Sequence, residues 1–138
     1  MPQQLHQVLD SPQRAAPVQQ VPLLEDFGDE TATRESQVWV ASRDVKVVED
    51  DQPRLAIEES PDGDKDIQLR NLTKSEVIAE WTGIHNDSAD TALTPDIFNT
   101  GNLNVDQGDV LAINYVVNTA GTTGPTNVSI GLEVQLLD

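Results

Sequence analysis

The residues whose types and spacing could do chemistry are mostly carboxylates. Asp62, Asp64 and Asp66 form a D-x-D-x-D run that begins like a calcium loop. A loop of the EF-hand kind then needs Gly where Ile67 stands and a bidentate Glu where Thr73 stands, so the run reads as a solvated turn. Glu49, Asp50 and Asp51 read as a surface turn in the same way. Asp87 and Asp90 could hold a cation together with loop carbonyls, but two carboxylates in a polar loop are more simply solvated. His6 and His85 are the only histidines, too few for an imidazole metal set. Ser88, His85 and Asp90 can be combined on paper into a hydrolytic triad. Residues this close in one loop do not normally set a base against an oriented nucleophile, and no nucleophile elbow accompanies them. Acid pairs are so numerous that a glycosidase dyad could be drawn anywhere, which makes it uninformative. No glycine-rich phosphate loop is present. The expectation is a protein that is not an enzyme, with no metal and no cofactor.

Composition narrows the partners. The chain has 138 residues, with 24 acidic side chains against 8 basic ones and a formal net charge of −16. Phosphate contacts need clustered Lys and Arg, so neither nucleic acid nor an anionic membrane surface is expected as a partner. Such acidity suits solubility, a salty medium or a basic partner. There is no cysteine, which removes disulfides and thiol chemistry. Trp39, Trp81, Phe27, Phe98 and Tyr115 are the only aromatic residues, few for a sugar- or base-stacking platform. No apolar run approaches a membrane span. Met1 to His6 has neither a basic nor an apolar leader pattern, so export through a secretory signal is not expected. Asn71-Leu-Thr73, Asn86-Asp-Ser88 and Asn127-Val-Ser129 match the glycosylation sequon, a coincidence in a chain rich in these residues.

The elements that would carry these residues are strands. Val128, Ile130, Leu132, Val134 and Leu136 alternate strictly with Ser129, Gly131, Glu133 and Gln135, the period of a strand with one buried face. Asp109 to Val117 is apolar on both faces, as an interior strand is. With the polar connection Asn118 to Asn127 between them, the two segments read as a long hairpin. Upstream, Gln37–Ala41, Val45–Val48, Arg54–Glu58 and Asp66–Arg70 are short β-like segments. Ser60-Pro-Asp-Gly-Asp64 is a turn that would join the last two as a hairpin. Glu76–Trp81 reads as a strand with Val77, Ala79 and Trp81 on one face, a helix over Lys74–Trp81 being the competing assignment. Thr82 to Gly101 is a long loop with Leu93, Ile97 and Phe98 plugging one end of the core. Leu103 and Val105 begin a further strand. These signals predict an all-β chain: a single β-sandwich or jelly-roll-like domain over residues 37–138.

Residues 1–36 differ in texture. They hold Pro2, Pro12, Pro17 and Pro22 and six glutamines, with no sustained period. Proline fixes φ and removes a ladder donor, so this region reads either as a disordered tail or as an extended arm that orders against a neighbouring subunit. In the second case Leu5, Val8, Leu9, Val18, Val21, Leu23, Leu24 and Phe27 are its apolar anchors.

Glu76-Val-Ile-Ala-Glu-Trp-Thr-Gly-Ile84, Thr91-Ala-Leu-Thr-Pro-Asp96 and Gly108-Asp-Val-Leu-Ala-Ile-Asn-Tyr-Val-Val117 resemble stretches of small β-sandwich capsid decoration, or cement, proteins of tailed phages and related viruses. The resemblance spans about residues 70–138. It implies a virion structural protein on the capsid surface, bound to the major capsid protein, often as a homotrimer at local three-folds. It also implies an N-terminal arm that staples neighbouring capsomers. The alternative classes are a tail, baseplate or fibre component, and a small carbohydrate- or calcium-binding β-sandwich module.

Overall fold

The alternation that marks Val128–Leu136 as half-buried asks for a second layer to cover its apolar face, and a second sheet supplies it. The computed structural model describes residues 17–137. Ten strands appear in order: β1 (Val18–Glu25), β2 (Arg34–Val40), β3 (Val45–Val47), β4 (Arg54–Ala56), β5 (Lys65–Asn71), β6 (Glu76–Trp81), β7 (Ile97–Phe98), β8 (Asn104–Val105), β9 (Val110–Val117) and β10 (Val128–Leu136). Short 3-10 turns at Ile84–Asn86 and Thr100–Asn102 are the only helical pieces among the described residues. One sheet runs β1-β10-β3-β8, with β4 beside β10 next to β3; the other runs β2-β9-β5-β6-β7. Every pairing is antiparallel.

The pairings are nested. β1 lies against β10, β2 against β9, β3 against β8 and β5 against β6, and each nested pair falls in the sheet opposite the next. This is the strand order of a jelly roll. Val21 and Leu23 of β1, Val128, Ile130, Leu132 and Val134 of β10, and Val45, Val47 and Leu55 face Leu111, Ile113 and Tyr115 of β9, Ile67 and Leu69 of β5, and Trp81 of β6. All are buried.

Three sequence expectations change here. The C-terminal hairpin does not form: β9 and β10 sit in different sheets, and Asn118–Asn127 crosses between layers. The Ser60–Asp64 turn likewise carries the chain from β4 in one sheet to β5 in the other. Alternation shows that a strand has a buried face, and it is silent on which strand lies beside it. In β6, Leu69 pairs with Ala79 and Arg70 with Val77. The bulge turns Ile78 into the core and leaves Val77 half-buried, as an extra residue in one strand requires.

The largest change concerns the arm. Residues 18–25 are a strand of the first sheet and residues 34–36 begin a strand of the second, so the sandwich starts near Val18 rather than Gln37. Phe27 is fully buried, its ring 5.4 Å from that of Tyr115 and tilted by 32°, with the Arg34 guanidinium 5.3 Å above it. Gly124 lets this happen. A Cβ there would lie 1.8 Å from the Phe27 carbonyl oxygen.

Both ends of the sandwich are tied by polar residues on the inner face of β5. At one end Lys65 is fully buried and its ammonium donates to the Asp62 carbonyl, between Gly63 and Gly121. At the other, buried Asn71 donates to Asp109 Oδ2 at 2.9 Å. Asp109 also accepts from the Asp106 N–H at 2.9 Å and lies 3.5 Å from Lys74 Nζ.

Candidate assembly surface at the first strand

The residues singled out as arm anchors divide into three groups. Leu5, Val8 and Leu9 lie outside the described residues. Val21, Leu23 and Phe27 are core side chains and so cannot reach a neighbour. Only Val18 and Leu24 remain available: they are 51% and 66% exposed on the outward face of β1. Pro22, also exposed, lies between them, so the outward face of β1 reads Val18, Gln20, Pro22, Leu24. Across the ladder Pro22 faces Gly131 of β10, where an added Cβ would meet nothing within 4 Å. A low, open apolar strip results. The described chain begins at Pro17, beside Val18 at one end of this strip.

β1 is the edge of its sheet. A long edge strand invites pairing with other chains, and proline is one of the devices that limits it. The other long edge, β2, carries a bulge between Gln37 and Trp39. It also bears Glu35, which forms an ion pair with Arg70 at 2.8 Å. β7 and β8 are edges of two residues each. β1 is therefore the long edge that shows exposed apolar side chains at its middle and both ends.

Carboxylates border the strip. Glu25 and Asp26 lie at one end, sharing a cleft with Leu24, Asn127 and Val128. Beyond Val18 the row runs across Gln135 of β10 to Lys46 of β3, and the cleft there also holds Glu49 and Asp50. Gln20 hydrogen-bonds to Glu133 across the strand pair. The Ser36 hydroxyl donates to Glu25, which, with the Asp26 N–H and the Arg34 charge, holds its carboxyl below the usual range despite partial burial.

The other candidates serve the fold. Asp62 accepts bonds from the backbone N–H groups and hydroxyls of Thr122 and Thr123, at 2.9–3.1 Å. These hold its carboxyl well below the usual carboxylate range and clamp two crossing loops together. Asp66 accepts from the Gly83 N–H at 3.0 Å and Asn118 Nδ2 at 2.9 Å. His85 Nδ1 sits 3.9 Å from Asp64, without a hydrogen-bond partner; among the described residues no hydrogen bond or ion pair joins it to Ser88 or Asp90. Burial raises the Asp87 carboxyl, helped by Asp96 and opposed by His85. Asp51 is 3.4 Å from Arg54. Among the described residues, no group of three or more His, Asp or Glu side chains is arranged to hold a metal ion.

Trp81 is buried with its indole N–H on the Leu93 carbonyl at 2.9 Å, and Trp39 packs against the core. Leu93 and Phe98 pack there too, whereas Ile97, expected as a plug, points outward and is 45% exposed. Asn71 of the first sequon is fully buried. Sequence reasoning missed β1 because Pro22 stands in its middle. The available signal was Val21 and Leu23 flanking that proline, which an edge strand tolerates.

No protein-family model matches the chain, and no curated protein or solved structure is found to be similar to it.

Proposed function

We propose that this protein is a non-enzymatic virion component: a capsid decoration protein that binds the outer shell through the outward strip of β1 together with residues 1–16. The observation that carries this reading is the continuity of the two. The exposed Val18–Pro22–Leu24 strip lies on an edge strand, and the segment first read as an arm enters the fold there. Jelly-roll order suits the role, being common to capsid and lectin domains, although a fold alone does not assign a function. The carbohydrate-binding alternative finds less support, because Phe27, Trp39, Trp81, Phe98 and Tyr115 all pack on the core. Many symmetric copies would then resist shell expansion through many modest contacts.

The test has two stages. Native mass at low and near-molar salt reads the trimer that belongs to this proposal. Co-sedimentation with capsids of the source virus then compares the full chain with a deletion of residues 1–16. The full chain is expected to sediment with the shells and the deletion to bind at least about tenfold more weakly, roughly 1.4 kcal/mol. A full chain that sediments with no shell at either salt ends the proposal. Deleting residues 1–36 is the wrong experiment, since it removes β1 and Phe27 and should unfold the domain.

A further inference from the structure

Gly131 of β10 is the one glycine inside a strand among the described residues. Its backbone does not ask for glycine. The left-handed φ values fall at Gly63, Gly83 and Gly108. The register runs unbroken through Gly131 on both sides, to Pro22 of β1 and to Arg54 of β4, so no bulge lies there. Packing does not ask for it either, since a Cβ would meet nothing within 4 Å. Glycine inside a strand carries an entropic cost and commonly marks a bulge or a place where a ligand or another chain comes close. An aromatic side chain from a neighbouring strand is one way a sheet covers such a glycine. Here the neighbours are Pro22 and Arg54, and neither does so.

The surroundings define what fits. Gly131 is exposed on the outward face of the first sheet, and its backbone is the floor of a shallow dip. Pro22 stands on one side and Arg54 on the other; along β10 the same face carries Ser129 and Glu133. Leu24, 66% exposed and opposite Ser129, extends the Pro22 wall. The rim bears both signs. Arg54 lies 3.4 Å from Asp51, and Glu133 accepts from Gln20. An anionic ligand would meet Glu133 and Asp51, and a cationic one would meet Arg54. A neutral aromatic ring suits both, because guanidinium stacks on its face and a polar N–H or O–H on its edge can donate to a carboxylate.

We propose that Gly131 is the floor of a binding site for an aromatic side chain of the partner, tryptophan or tyrosine. The ring lies flat on the Gly131 backbone between Pro22 and Arg54, in the space the missing Cβ leaves open. Its edge donates to Glu133. This rests on the reading of the protein as an assembly component and names the residue type that its partner must present.

The experiment is an NMR titration of the full chain, isotope-labelled, with N-acetyl-tryptophanamide and, as control, N-acetyl-leucinamide. The Gly131 α protons are expected to move upfield, as protons above a ring face do, with the tryptophan amide only. Gly131→Val places a strand-favouring side chain where the ring would lie. It should keep the melting temperature and weaken binding at least about tenfold. Arg54→Gln, at a half-exposed position, should weaken it about two- to fivefold. A tryptophan amide that leaves the Gly131 resonances in place would overturn the proposal. So would equal shifts with the leucine amide, or binding to Gly131→Val as tight as to wild type. Capsid co-sedimentation separates this site from the reading on which it rests. Ring binding at Gly131 by a protein that sediments with no capsid would sink the decoration reading and leave the site standing. A Gly131→Val variant that sediments as wild type does would overturn the site and leave the decoration reading.

Discussion

Asp109→Ala probes the polar knot that closes one end of the sandwich. Its carboxylate is almost fully buried and accepts from Asn71 Nδ2 and the Asp106 N–H, both at 2.9 Å. Removing it leaves the Asn71 amide buried without its acceptor, at about 1–3 kcal/mol. The Asp106 N–H lies beside an exposed side chain and can take water, adding about 1 kcal/mol. Lys74 keeps Asp106 Oδ2 at 3.2 Å, a half-exposed pair of small worth. The sum is about 3 kcal/mol, or about 10 °C in Tm for a chain of this size. Acidity supplies a second reading. Burial pushes the Asp109 carboxyl up, but the Asn71 and Asp106 hydrogen bonds and the Lys74 charge outweigh it and hold the group below its ordinary value. A carboxyl lowered in the folded state stabilises above its unfolded value near pH 4 and loses that contribution as pH falls through the folded value. The gap in stability between wild type and Asp109→Asn should therefore narrow below about pH 4. Thermal unfolding at pH 7 and urea unfolding at pH 7, 5 and 3, both followed by tryptophan fluorescence, measure the two effects. An alanine variant melting within about 2 °C of wild type, or a gap unchanged at pH 3, would refute the knot.

Two further substitutions test the packing. Gly124→Ala drives a methyl into the Phe27 carbonyl and should cost about 1–3 kcal/mol, whereas Gly131→Ala enters open space and should change stability by less than about 1 kcal/mol; equal effects in calorimetry would show that Phe27 does not dock as described. Lys65→Met keeps the buried stem and removes the ammonium from the Asp62 carbonyl, for a loss of about 2 kcal/mol. Faster hydrogen exchange at Thr122 and Thr123 should accompany it, and unchanged exchange would mean that Lys65 does not hold the two loops together.

Much of the strand content was legible because the burial period is written into the side chains. Val128–Leu136, Glu76–Trp81 and the interior character of Val110–Val117 follow from which residues are apolar. Pairing was not legible. A ten-residue connection between β9 and β10 can turn back beside the same strand or cross to the other sheet, and its composition is the same in both cases. The N-terminal boundary failed for a different reason. Pro22 forbids a central strand, and β1 is an edge strand whose open side carries the missing donor. As for the site, residue type pointed to Val18 and Leu24, but the same criterion selected Val21, Leu23 and Phe27. Only the register separates Val18 and Leu24 from Val21 and Leu23, and the close approach of Gly124 is what seats Phe27.

The nesting has a consequence in time. β1 is the first strand of the described fold to leave the ribosome, and its ladder partner β10 is the last of the described strands to follow. At ordinary elongation rates the interval is on the order of 5–20 seconds. Throughout it β1 lacks its ladder partner, and both of its edges are open. The strand must pass its youth unpaired, in a chain whose dense negative charge keeps like chains apart.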